Sequence, residues 1–325
     1  MYENFYGLKE KPFSILPDPE YLYWSRSHEL AYTILEYGIL NCVGFTVITG
    51  EVGCGKTTLL RHLLNQLDDE ITVGLLTNPP PENSDLLEWI LMAFGLPIEG
   101  KSPATLYDDF RAFTIQRYEA GCRTLLIVDE AQNLGPGVLE QLRMLSNINV
   151  DKDQLLQLIL VGQPQLKELL RKPELAQFAQ RVGADFHLYP LNLGEAIGYI
   201  EHRLAIAGRR NRRCFTFDAV RRIHEESKGI PRLINILCDT SMVYGFARNV
   251  PVITARIVEE MIKDKVDHGV FDFDRTAPGI LADVRVRAIG GAADSLRPAK
   301  AAPSGSRGSR VRASFHDALS SLKFH

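Results

Sequence analysis

Residues 50–57 read Gly50-Glu51-Val52-Gly53-Cys54-Gly55-Lys56-Thr57, a complete G-x-x-x-x-G-K-[ST] string. Glycines at this spacing let a loop curl until successive backbone amides point inward, and a helix starting at its end adds a positive pole. Such a nest suits phosphate oxygens. Lys56 would reach the β- and γ-phosphates of a nucleoside triphosphate, the Thr57 hydroxyl would ligate Mg²⁺, and Thr58 would open the helix behind them. Further along, Thr124-Leu125-Leu126-Ile127-Val128 is an apolar run ending in two carboxylates, Asp129 and Glu130. On a parallel sheet, a carboxylate at a strand's C-terminal end shares the rim of the phosphate loop. Asp129 would there hold Mg²⁺, directly or through water, and Glu130 would orient and activate the attacking water. Gln163, after the apolar run 156–161, either hydrogen-bonds the γ-phosphate or the lytic water, or caps the helix that follows. Cys54 reads either as a redox switch or as a small residue tolerated in the loop.

These groups need a frame. From 28 to 190, short β-rich runs alternate with helical patterns, and the strand candidates are 45–49, 71–77, 124–128, 156–161 and 185–189. Near-continuous apolar runs separated by helices predict a parallel sheet covered on both faces. From 192 to about 267 the strand signal disappears. Helices are expected over 193–207, 217–228, 232–247 and 254–266, with Thr216 or Asp218 capping the second and Thr254 the fourth. Residues 1–27 hold seven aromatics among Pro12, Pro17 and Pro19, an irregular segment that should lie on the body of the protein. In the 35 residues from Thr276 to Arg310, 20 are Ala, Gly, Ser or Pro, which reads as a flexible tail without a core of its own.

The chain has 325 residues, 45% of them hydrophobic and 24% charged, which is globular composition with length for two or three domains, or one large domain with a lid. Five scattered cysteines without a C-x-x-C pair argue against a disulfide framework or zinc site and for reduced thiols in a cytoplasm. The N-terminus lacks the pattern of a signal peptide, and no apolar run is long enough to span a membrane. The net charge of −3 is a sum of unlike parts. Residues 276–325 carry eight Lys or Arg against three Asp or Glu, so the rest of the chain is acidic. An acidic body disfavours nucleic acid as its partner.

At this point the chain resembles the general secretion pathway protein A family of AAA+ ATPases. The resemblance rests on Tyr2…Phe5-Tyr6-Gly7-Leu8…Pro12-Phe13…Pro17-Asp18-Pro19…Tyr21-Leu22-Tyr23, on Gly50–Thr57, on Asp129-Glu130-Ala131-Gln132, on Val161-Gly162-Gln163-Pro164 and on Gly229-Ile230-Pro231-Arg232, and runs from residue 1 to about 267. It implies an α/β P-loop core over 28–190 and an all-α lid over 191–267, with the N-terminal segment packed on the core and its Phe13–Tyr23 stretch bordering the adenine. Arg232 is similar to the family's sensor-2 arginine, which touches the γ-phosphate. Arg181, with Arg171 as its rival, resembles the arginine finger that reaches a neighbouring subunit's nucleotide and makes hydrolysis depend on assembly. Relatives used in secretion carry a transmembrane helix and a periplasmic peptidoglycan-binding domain after the ATPase. Residues 268–325 show neither pattern, so cell-wall remodelling is not carried over. Short soluble relatives occur beside exopolysaccharide and exosortase systems, and similar ATPases regulate DNA transposition.

The expected function is therefore binding and hydrolysis of ATP·Mg²⁺ by an ATP-dependent homo-oligomer that serves cell-envelope export or polysaccharide machinery. The competing classes are a DNA-associated regulator of transposition and a nucleotide-dependent scaffold with little turnover. Two outlying features have both a binding and a bland reading. The basic run Arg209–Arg213 meets phosphate backbones or is a solvated loop. Val311, Phe315, Leu319 and Leu322 recur at helical spacing and form a peripheral docking or membrane-surface helix, or a frayed tail.

Overall fold

The computed structural model describes residues 1–77, 85–150, 153–209 and 213–268. Met1–Thr276 form one compact unit; Ala277–His325, including the 311–322 pattern, lie outside the described residues, as does the centre of the basic run at 210–212. The chain order is α1 (Glu3–Tyr6), α2 (Arg26–Leu40), β1 (Phe45–Gly50), α3 (Lys56–Gln66), β2 (Ile71–Leu76), α4 (Leu86–Ala93), α5 (Pro103–Glu119), β3 (Arg123–Val128) and α6 (Pro136–Leu145). There follow a small hairpin of β4 (Asn149–Val150) and β5 (Asp153–Gln154), then β6 (Leu156–Gly162), α7 (Pro164–Leu170), α8 (Ala176–Ala179) and β7 (Val182–Leu188). Helices α9 (Leu193–Ile206), α10 (Phe217–Ser227), α11 (Pro231–Ala247) and α12 (Ala255–His268) complete the unit.

The main sheet has the order β2-β3-β6-β1-β7, and all its pairings are parallel. Its three central strands are buried on both faces, which is why they read as continuous apolar runs rather than alternating ones. Alternate residues nevertheless serve different layers. Val47, Leu126 and Leu158 pack toward α4–α8, whereas Ile48, Leu125 and Ile159 pack toward α2 and α3. Truncating Leu158, which is fully buried, to Ala would cost about 2–5 kcal/mol. β7 begins at Val182, three residues before the run that its apolar pattern suggests, because Gly183 adds no side chain to the alternation.

Helices α9–α12 make a separate core, and Asn192 and Glu195 close a full capping box at the start of α9. Thr216, not Asp218, caps α10 by accepting the Ala219 N–H. The aromatic N-terminus packs in two places: Trp24 lies edge-on to Tyr32 of α2 at 5.3 Å and to His62 of α3 at 5.2 Å, on the core, whereas the earlier rings lie elsewhere. Tyr2, Tyr6, Leu8 and Phe13 are buried among α9–α12 rather than against the sheet, with Phe13 edge-on to Phe215 at 6.0 Å. The Tyr6 hydroxyl reaches the carbonyl of Met242 at 3.1 Å. These rings bring large apolar area to the helical core, and the buried Tyr6 hydroxyl finds the partner it needs there.

Candidate nucleotide site

The parallel register decides which side chains meet. Thr49 pairs with Gly162 and Val128 with Leu160, so the ends of β1, β3 and β6 lie on one rim. The loop 51–55, Asp129, Glu130 and Gln163 all follow those ends directly. The loop closes between β1 and the N-terminus of α3, whose first residue is Lys56. Gly53 has φ +84 and sits so close to α11 that a Cβ there would lie 2.5 Å from the Arg232 Cβ. Only glycine fits that backbone beside that neighbour.

Lys56 is buried, and its Nζ donates to the carbonyls of Gly50 at 2.7 Å and Glu51 at 2.9 Å. Burial pulls its ammonium below the usual lysine range, while the charges of Glu130, Asp129 and Glu51 pull the other way. The Thr57 hydroxyl donates to Asp129 Oδ2 at 3.1 Å, and the Glu130 N–H donates to Asp129 Oδ1 at 2.9 Å. Burial raises the Asp129 pKa against those two hydrogen bonds. A hydroxyl and a carboxylate in contact are hard oxygen donors that suit Mg²⁺ sharing its shell with phosphate and water. Among the described residues no cluster of three or more acidic, His or Cys side chains forms an all-protein metal cage.

Glu130 has φ +53, a left-handed conformation uncommon for a residue with a side chain, and its side chain lines the cleft. Its Oε2 accepts from Gln132 Nε2 at 2.6 Å and from Gln163 Nε2 at 3.1 Å, and the Gln163 N–H donates to Gln132 Oε1 at 2.9 Å. Burial works to raise the Glu130 pKa, but the two amide bonds and the charge of Lys56 outweigh it, and the net shift is downward. Gln163 stands at the N-cap of α7 without capping it; its side chain serves Glu130 instead.

A cleft of about 190 Å³ lies over this rim. Val52, Gly53, Cys54, Gly55, Thr57 and Thr58 line it on the loop side. Gly50 and Glu51 do not; they meet the site through the carbonyls held by Lys56. The facing wall comes from the N-terminal segment Ser14–Asp18 and from α9 and α11, through Arg203, Arg232 and Asn235. Phe13 is turned away into the helical core. The Arg232 N–H donates to the Gly53 carbonyl at 3.1 Å, so α11 starts directly on the loop, with its exposed side chain at the cleft. His28 donates from Nε2 to the Cys54 carbonyl at 3.0 Å while Nδ1 faces the Ser25 hydroxyl at 2.8 Å. Cys54 is fully buried and its thiol is pushed up to about 12 by burial, which removes the thiolate that redox chemistry needs.

Arg181 is placed elsewhere. It precedes β7 at the opposite end from Leu188, which pairs with Gly50, and the length of the strand separates it from the loop by about 20 Å. There it donates to the Arg143 carbonyl at 3.2 Å and the Ser146 hydroxyl at 2.9 Å. Arg171, at the C-terminus of α7, is exposed.

Residues 43–170 match the family described as AAA domain. General secretion pathway protein A of Aeromonas hydrophila is 45% identical over 253 residues, 76% of this chain and 45% of that protein. An AAA domain therefore occupies residues 43–170, and the chain is similar to that relative over three quarters of its own length. It spans about half the length of that relative, whose further segments have no counterpart in the match. Solved AAA+ structures share the fold at low identity. Cdc6p from Pyrobaculum aerophilum superposes with a TM-score of 0.57 at 18% identity, covering 73% of this chain and 66% of that one. The ORC2 protein of Aeropyrum pernix, in its ADPNP–ADP complexes, gives 0.54 at 18% identity, covering 74% and 67%. No helix of the described residues is long and apolar enough to cross a membrane.

Motif reading missed three contributors to the site. Gln132 stood in a recognised string without a role, although it is two residues from Glu130. His28 and Arg203 carry no local signal, because their partners are distant in sequence.

Proposed function

We propose that the chain binds ATP with Mg²⁺ and hydrolyses it, as one of several copies assembled in a cell-envelope secretion or exopolysaccharide system. The observation that carries the reading is the contact of Thr57 with Asp129 beside Glu130, on the rim where Lys56 and the loop amides converge. Lys56 would exchange its two carbonyl partners for phosphate oxygens. Thr57 and Asp129 would hold Mg²⁺, which when bound would supply charge neutralisation at the phosphates. Glu130, kept ionised by the amides of Gln132 and Gln163, orients the attacking water and takes up its proton. Arg232, exposed at the cleft, would sense the γ-phosphate from the lid. Arg181 stands too far from its own cleft, so it serves the nucleotide of an adjoining copy. The secretion role is supported by the relationship to general secretion pathway protein A.

Steady-state ATPase measured against protein concentration tests this, with Lys56→Ala and Glu130→Gln as controls. Specific activity should rise with concentration in the wild type and stay at background in both variants. Mixing Lys56→Ala with Arg181→Ala should restore activity, because each supplies what the other lacks. Equal hydrolysis by wild type and Lys56→Ala at every concentration refutes the enzyme reading.

A further inference from the structure

The wall of the cleft facing the phosphate loop is a strap of irregular chain, Pro12–Pro17, that is held from two sides. On the lid side, the buried Arg203 of α9 donates from Nε to the Pro12 carbonyl at 2.6 Å and from Nη2 to the Ser14 carbonyl at 3.3 Å. Asn235 of α11 also donates to the Ser14 carbonyl, at 3.2 Å. Tyr199 closes the ring by donating to Asn235 at 2.9 Å and accepting from Arg203 at 3.1 Å. On the core side, Arg61 of α3 donates to the Pro17 carbonyl at 2.8 Å. Between the two anchors stand Ile15 and Leu16, apolar side chains 53% and 73% exposed although both line the cleft.

Arg203 is an unusual anchor. Among the described residues it pairs with no carboxylate; its partners are two carbonyls, the Tyr199 hydroxyl and the face of Tyr21, whose ring centroid lies 4.5 Å from the guanidinium. Burying a cation among neutral groups is costly, and a planar fork that ties two carbonyls while stacking on a ring is work that lysine cannot do. Both carbonyls belong to the strap.

We infer that Arg203 is the positioning residue for the base end of the nucleotide: it fixes the strap so that Ile15 and Leu16 cover an aromatic base beyond the phosphate loop. This rests on the proposal that ATP occupies the cleft. The loop would bind the phosphates without help from Arg203, whereas the affinity added by the base would pass through it.

Titration of the full chain in Mg²⁺ buffer with ATP and with inorganic tripolyphosphate separates these contributions. Lys56→Ala verifies that tripolyphosphate reports on the loop. The wild type should bind ATP at least about tenfold more tightly than tripolyphosphate. Arg203→Lys should lose most of that ratio while its tripolyphosphate affinity stays within about twofold of wild type. An unchanged ratio in Arg203→Lys overturns the inference and leaves the nucleotide reading standing. A parallel fall in both affinities also overturns it, since general loosening of the fold does that. Should Arg203→Lys fail to fold, Asn235→Ala decides by the same criterion. A wild type that binds neither ligand removes the nucleotide reading and this inference together.

Discussion

The contact between Gly53 and the start of α11 is the most direct mechanical link between the phosphate loop and the helical part, and Gly53→Ala measures it. A Cβ at Gly53 would stand 2.5 Å from the Arg232 Cβ and 3.3 Å from the Ile230 Cγ2. Reaching an ordinary carbon–carbon separation of ~3.5–4.0 Å moves the helix start away by about 1 Å. The hydrogen bond from the Arg232 N–H to the Gly53 carbonyl, now 3.1 Å, would not survive that movement in good geometry. The backbone adds its own cost, since left-handed φ disfavours alanine by about 1–2 kcal/mol, offset by about 0.5 kcal/mol from a less flexible unfolded chain.

Gly100→Ala separates the two parts. Gly100 has φ +69 with nothing within 4 Å of its would-be Cβ, so it carries the backbone cost alone. It should destabilise by about 1 kcal/mol. Gly53→Ala adds a lost hydrogen bond of about 1 kcal/mol and overpacking of about 1–3 kcal/mol. The excess over Gly100→Ala should therefore be about 2–4 kcal/mol. Urea denaturation of the three proteins gives the difference, and hydrogen exchange at the Arg232 amide should accelerate in Gly53→Ala only. Two variants equal within about 0.5 kcal/mol would refute the claim that α11 bears on the loop.

Three further outcomes are expected. Gln132→Ala and Gln163→Ala each remove a donor that lowers the Glu130 pKa, so the acid limb of the ATPase pH profile should move to higher pH, further for Gln132; a superimposable profile contradicts the assignment. His28 is buried and its pKa lies below the ordinary 6.5, so its contribution to stability is complete above that value and is lost as pH falls from 6.5 toward the folded pKa. Thermal midpoints of wild type and His28→Gln should converge as pH drops through that window, with the gap widest at neutral pH. In native protein, a thiol reagent should modify Cys42 and the half-buried Cys122, and Cys54, Cys214 and Cys238 only after denaturation; rapid loss of the Cys54 thiol would revive a redox role.

What could be read in advance follows from how local each cause is. The central strands announced themselves because burial on both faces demands unbroken apolar runs, as in Leu156–Gly162. The half-exposed edge β7 did not give its start, since Val182 and Gly183 carry little pattern. Lys56, Thr57, Asp129 and Glu130 stand out in the sequence because glycine spacing and strand-end carboxylates are short-range patterns, and the parallel register brings them to one rim. Gln163 stayed open between capping and the site until its amide was seen on Glu130, a contact across 33 residues. The aromatic N-terminus reads as adherent from its composition, yet no local feature says whether its rings will settle on the α/β core or in a helical bundle.

The cations show the same limit in its sharpest form. Sequence strings rank Arg232 and Arg181 by resemblance to positions in a motif, and Arg203 by nothing at all. Ranked by surroundings, the order changes. Arg232 is exposed, and Arg181 is held by a carbonyl and a hydroxyl at the far end of β7. Arg203 is buried with its guanidinium divided among two carbonyls, a hydroxyl and a ring. An exposed arginine costs little to keep and signals little by its presence. A buried one without a carboxylate persists only where neutral acceptors and ring faces hold it, and here two of its three hydrogen bonds end on the strap that walls the cleft. Because the strap is tied to α9 and α11 at one end and to α3 at the other, a shift of the helices against the sheet must either move Ile15 and Leu16 or break one of the anchors. The geometry of the strap end of the cleft is therefore coupled to the position of the helical part, independently of the contact between Gly53 and Arg232 at the loop end.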